Sequence, residues 1–152
     1  MEKFSSVEEI LDFAIEREIE ANKFYTELAE QMDRSEMRKV FEDFAKEELN
    51  HKAKLEAVKQ AGFIISSGQK EVPGLGISDY VVDVEPKPDM SYADTLVVAM
   101  KKEKAAFRLY LDLATVAEDE ELINLFLSLA NEEAKHKLRF EVEYDDVILK
   151  ED

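Results

Sequence analysis

The chain matches itself at a fixed offset. Ala14, Glu18, Ala21 and Tyr25 return as Ala99, Glu103, Ala106 and Tyr110; without a gap, Phe41, Ala45, Glu47, Glu48 and His51 return as Phe126, Ala130, Glu132, Glu133 and His136, always 85 positions on. Self-similarity of this kind marks one supersecondary unit made twice. The starts of the two copies agree as well, because Ser6-Val7-Glu8-Glu9 and Ser91-Tyr92-Ala93-Asp94 both read as capping boxes. The spacing predicts helices over 6–32 and 35–61 in the first copy, the second helix stopping at Gly62 as a left-handed cap, and over 91–117 and 119–144 in the second copy. The turns inside each copy are short, so its two helices must be antiparallel neighbours.

Between the copies the character changes. Residues 62–90 hold all four glycines and all three prolines. This segment is a crossover, long enough to run back along a helix of about 27 residues, or about 40 Å. Within it, Tyr80 to Val84 reads as a short strand or an extended edge segment. Hairpin 6–61, crossover 62–90 and hairpin 91–144 make one all-α domain over 1–152, with the connectivity of a ferritin-like antiparallel four-helix bundle.

Stepping along each helix by alternating fours and threes gives the face that must point into a bundle. Helix 1 reads Val7, Leu11, Ala14, Glu18, Ala21, Tyr25, Leu28, Met32, and helix 3 reads Tyr92, Leu96, Ala99, Glu103, Ala106, Tyr110, Leu113, Ala117. Helix 2 reads Met37, Phe41, Phe44, Glu48, His51, Leu55, Val58, and helix 4 reads Leu122, Phe126, Leu129, Glu133, His136, Phe140. An acid interrupts every seam near its middle, and both histidines of the protein lie on these seams.

Four ionised carboxylates in a dry core would each cost several kcal/mol, and like charges held together would force some to protonate. Two divalent cations balance four glutamates, with neutral imidazoles completing the coordination. One Glu from each of two helices plus Glu-x-x-His from each of the other two is the ligand pattern of di-iron and di-manganese carboxylate bundles. An isolated Glu-x-x-His is a common surface pattern in a chain this rich in Glu. Six residues of the right types recurring on four apolar seams are not, and they point to a metal site of Glu18, Glu48, His51, Glu103, Glu133 and His136.

Composition narrows the chemistry further. There is no cysteine, which excludes disulfides and thiolate metal sites and leaves oxygen and nitrogen as donors. With 36 acidic against 20 basic residues, the net charge of -16 opposes nucleic acids and anionic membranes. No secretory signal or membrane-length apolar run is apparent, so a cytoplasmic location is expected.

At these seam residues the sequence resembles the rubrerythrin-like branch of the ferritin-like di-iron proteins over nearly the whole chain outside the crossover. The resemblance implies that Glu18 and Glu103 are ligands from helices 1 and 3, that Glu48 and Glu133 bridge or chelate the metals, and that His51 and His136 are terminal ligands. It also implies that Glu47 accepts a hydrogen bond from His136 and Glu132 one from His51, fixing each imidazole's orientation. Tyr25 and Tyr110, two turns beyond Glu18 and Glu103, would donate to ligand carboxylates or act as a radical or proton relay. Their alternative is a core tyrosine whose hydroxyl finds any acceptor. Full-length rubrerythrins carry a cysteine-ligated iron domain that this chain lacks, so electrons must come from a separate protein. They also have a further glutamate where this chain has Ala106, which brings the six-ligand set closer to that of bacterioferritin.

The expected function is redox chemistry at two iron ions, with manganese able to occupy the same ligands. The first reading is reduction of hydrogen peroxide or activation of dioxygen with an external electron donor. The second is a ferroxidase or iron-storage protein; eight residues, 145–152, follow the predicted helix 4, where a cage-forming ferritin usually has a fifth helix. Hydroxylation of an organic substrate and a metal-free or zinc-filled interaction module are the remaining alternatives. The family resemblance implies a homo-oligomer, expected as a dimer.

Overall fold

The computed structural model describes residues 6–61, 80–82, 87 and 89–151. Four helices occur in it: α1 (Val7–Gln31), α2 (Ser35–Gln60), α3 (Tyr92–Val116) and α4 (Glu120–Glu151). Both copies begin as predicted. Ser6 Oγ accepts from the Glu9 amide and Ser91 Oγ from the Asp94 amide, each at 3.1 Å, satisfying a backbone donor that the first helical turn leaves over. Asp119 does the same for α4, accepting from the Glu121 amide at 2.8 Å.

The helices pair as α1 with α2 and α3 with α4, each pair forming the body of a compact unit. Three residues separate the helices within each pair, which allows only an antiparallel return. In the first turn, the Arg38 guanidinium donates twice to the Met32 carbonyl, at 3.1 and 2.6 Å, and so ties the start of α2 to the end of α1.

In the first hairpin Ile10, Ala14, Tyr25 and Leu28 of α1 are buried, as are Met37, Phe41, Leu55 and Val58 of α2. Tyr25 packs edge-on against Phe44 across the pair, their centroids 6.0 Å apart. In the second hairpin the buried set is Leu96, Ala99, Tyr110 and Leu113 of α3 with Leu122, Phe126, Leu129 and Phe140 of α4. Apart from Ile10, which lies beside the predicted seam of helix 1, these residues all belong to the predicted seams.

Three expectations about boundaries change or stay open. Helix α4 does not end near Tyr144 but continues to Glu151, taking in residues expected to follow the helix. Apolar Val147 keeps the seam period going beyond the Asp145-Asp146 pair, and a helix tolerates two exposed aspartates at a modest cost. The possible strand at Tyr80 to Val84 does not form over Tyr80, Val81 and Val82; Asp83 and Val84 lie outside the described residues, as do Gly62 and its predicted cap. Tyr80 is instead an anchor, buried, with its hydroxyl donating to Asp112 Oδ2 of α3 at 2.7 Å. No helix of the described residues is long and apolar enough to cross a membrane.

Candidate metal-binding site

Each hairpin brings its own two acids and one imidazole together. In the first, Glu18 comes from the middle of α1, and Glu48 and His51 lie one turn apart on α2, where a spacing of three puts both on one face. All three are buried, and one ligand atom from each lies within 4.8 Å of the others. The His51 ring turns Nδ1 toward both acids, 3.6 Å from Glu18 Oε2 and 3.5 Å from Glu48 Oε1.

The second hairpin repeats the arrangement. Glu103 of α3 and Glu133 and His136 of α4 are buried, with ligand atoms again within 4.8 Å of one another. His136 Nδ1 is 3.7 Å from Glu103 Oε2.

These separations are slightly too long for hydrogen bonds and slightly wider than the gap between two donors on one ion, so a small closing of the side chains would let them share a cation. Two donors each about 2.1 Å from one ion and about 90–110° apart lie about 3.0–3.4 Å from each other. The donor chemistry fits as well. Two carboxylates and one imidazole per hairpin form an oxygen and nitrogen set for a divalent first-row ion, and one such ion neutralises the two acids. Without a cation, each half would bury like charges in a core that is otherwise largely aromatic and aliphatic.

The other expected residues are placed less decisively. Tyr25 and Tyr110 are fully buried, two turns beyond Glu18 and Glu103. Glu47 is exposed and Glu132 is half-buried.

Two polar residues escaped the sequence reading. Glu143 is only 3% exposed, and its Oε2 accepts from the Tyr92 hydroxyl at 3.0 Å. It is the next seam step after Phe140, so carrying the period one step further would have found it. Asn22 of α1 donates from Nδ2 to the Ala45 carbonyl of α2 at 2.8 Å. Its sequence signal is a departure from the repeat, since Phe107 stands at its counterpart position.

The rubrerythrin family model matches residues 9–71 and 94–152, the two hairpins with the start of the crossover. The chain belongs to the rubrerythrin family. No curated protein matches it. Among solved structures it is similar to a hypothetical protein from Pyrococcus furiosus, at 30% identity over 92% of this chain and 89% of that one, with a TM-score of 0.73. It is also similar to a "putative ferritin-like diiron-carboxylate protein" from Thermotoga maritima, at 20% identity over 97% and 99% of the two chains, with a TM-score of 0.81. At that identity the second likeness shows the fold alone, a ferritin-like four-helix bundle. In this rubrerythrin-family chain both Glu-x-x-His motifs fall inside the matched segments.

Proposed function

We propose that this chain is a di-iron redox protein that reduces hydrogen peroxide or activates dioxygen with electrons from a separate donor protein. The observation that carries the reading is the buried Glu, Glu, His set formed twice, once per hairpin, in a member of the rubrerythrin family. Glu18, Glu48 and His51 would hold one ion, and Glu103, Glu133 and His136 the other. Bound ferrous iron supplies one electron per ion, so a pair provides the two electrons that peroxide reduction needs.

The side chains contribute position and protection. The two glutamates of each hairpin would offset the charge of the ion they hold. The aromatic and aliphatic residues beside them in each helix keep bulk water away, so that the fields of the charged groups are little screened. Tyr25 and Tyr110 place a phenol two turns from Glu18 and Glu103, where it could give a proton or an electron. The expected pairs Glu47 with His136 and Glu132 with His51 belong to the same reading and would hold each imidazole in one tautomer. Manganese suits the same donors. A dimer is expected, and sedimentation of the purified protein checks it.

The deciding experiment is anaerobic purification with assay of iron, manganese and zinc per chain, followed by peroxide and, separately, dioxygen added to the ferrous protein. Two irons oxidised faster by peroxide than by dioxygen, and reducible again by a small electron carrier, support the peroxidase reading. Faster oxidation by dioxygen points to the ferroxidase or hydroxylase alternatives. Failure to bind iron or manganese after reconstitution would overturn the reading.

A further inference from the structure

The two halves carry the same ligands but are held differently. Asn22 lies one turn beyond Glu18 on α1, and Ala45 lies one turn before Glu48 on α2. The 2.8 Å bond from Asn22 Nδ2 to the Ala45 carbonyl therefore crosses the hairpin next to the point where Glu18, Glu48 and His51 meet. A carbonyl inside a helix already accepts one intrahelical bond and has a second lone pair for this one. The link fixes how far α1 can slide or turn against α2, and with it the place of Glu18 relative to the other two ligands.

The second hairpin has no counterpart to this donor. One turn beyond Glu103 stands Phe107, at the position matching Asn22, and Ala130 stands at the position matching Ala45. The surroundings differ in the same sense. In the first hairpin Asn22 and Ala45 line a groove of about 530 Å³ whose other lining includes Glu30, Arg38, Glu42 and Lys46. The positions matching Arg38 and Glu42 in the second hairpin are Ile123 and Leu127. Ile123 is half-buried and Leu127 is exposed; apolar side chains make no directional bond, so they would constrain sliding less than a hydrogen bond does.

We propose that Asn22 is a positioning residue that preorganises Glu18, Glu48 and His51, so that the first hairpin takes up its divalent cation more tightly than the second. Ligands held in place before the ion arrives lose less freedom when it binds. This rests on the metal-binding reading of the two halves.

The test is a titration of the metal-free protein with Co²⁺, followed by calorimetry and visible absorption. Wild type binds two ions in two resolved steps, and His51→Gln abolishes the tighter one. Asn22→Leu weakens that same step about tenfold and leaves the weaker step in place. Phe107→Asn, which puts a donor at the matching position of the second hairpin, tightens the weaker step. A purely structural role for Asn22 would move both steps together or neither, and either result in Asn22→Leu overturns the proposal while leaving the metal reading intact. An unchanged weaker step in Phe107→Asn also counts against it. A wild-type chain that binds no Co²⁺ overturns the metal reading itself.

Discussion

In the first hairpin the ends of the helices remote from the turn are tied at the surface, by Lys59 of α2 to Asp12 of α1 at 2.5 Å and to Glu8 at 3.9 Å. In the second hairpin the matching region is tied inside, by the Tyr92 hydroxyl on the buried Glu143. The first copy has Val7 and Val58 where the second has Tyr92 and Glu143, and the second has Ala93, Val97 and Tyr144 where the first has Glu8, Asp12 and Lys59. Near the middle of the helices, by contrast, the repeat keeps Glu, Glu and His in register. The difference separates two kinds of requirement. Buried groups that, on the proposed reading, converge on one ion leave no room for substitution, whereas the job of holding two helices together can be done by a salt bridge, a buried hydrogen bond or apolar packing.

The sharpest way to break this picture is to treat matched positions as equivalent and look for unequal costs. Phe41 and Phe126 are both fully buried and occupy the same step of the repeat. Alanine at either should cost about 3–5 kcal/mol in urea unfolding of the metal-free protein. If one proved nearly free, the two hairpins would not share one packing scheme.

The proposed ligand acids should respond with a change of sign. In chelator, Glu48→Gln and Glu133→Gln each relieve the crowding of buried carboxyl groups and should raise unfolding stability by about 1–3 kcal/mol. With metal supplied, the same variants should lose the bound ion of their own hairpin and with it the stabilisation that ion gives. Metal analysis beside paired melting curves checks both halves of the statement; a variant that kept its ion would remove that glutamate from the ligand set.

A smaller effect distinguishes the tied ends. Tyr92→Phe should cost about 0.5–1.5 kcal/mol by removing the donor to Glu143, while Tyr92→Val with Glu143→Val, which copies the first hairpin, should recover part of that loss. A double variant less stable than either single would show that the pair does more than replace two valines.

The least effect is expected at Lys59. The hydrogen bond from Lys59 to Asp12, helped by the nearby Asp12 and Glu8 charges, raises its ammonium above the ordinary lysine value. A raised value means that the folded protein holds the proton more firmly than the unfolded chain. Its contribution is therefore complete below about pH 10.4 and fades as the pH rises through the raised folded value. Lys59→Met should remove that alkaline dependence and change little at neutral pH, as unfolding curves from pH 7 to 11 would show.

Much of the site was legible because helical period and repeat offset reinforce each other. Glu18, Glu48, His51, Glu103, Glu133 and His136 interrupt apolar seams at matching steps, and each is buried where those seams predicted. Glu143 obeys the same period, but its partner Tyr92 lies 51 residues away, a separation local pattern does not bridge. The length of α4 was hidden by two aspartates that stop a propensity argument without stopping a helix.

The sequence alone determined that Glu18, Glu48, His51, Glu103, Glu133 and His136 lie on buried seams, because an amphipathic helix has one period and a misplaced charge stands out against it. It also determined that any metal must be held by oxygen and nitrogen, since the chain offers no thiolate. Only the tertiary structure decided which polar groups meet across a pair of helices or against one: Asn22 with the Ala45 carbonyl, Tyr92 with Glu143, and Tyr80 with Asp112. The reason is geometric. A hydrogen bond depends on a few tenths of an ångström and on direction, and those are set by how the elements pack.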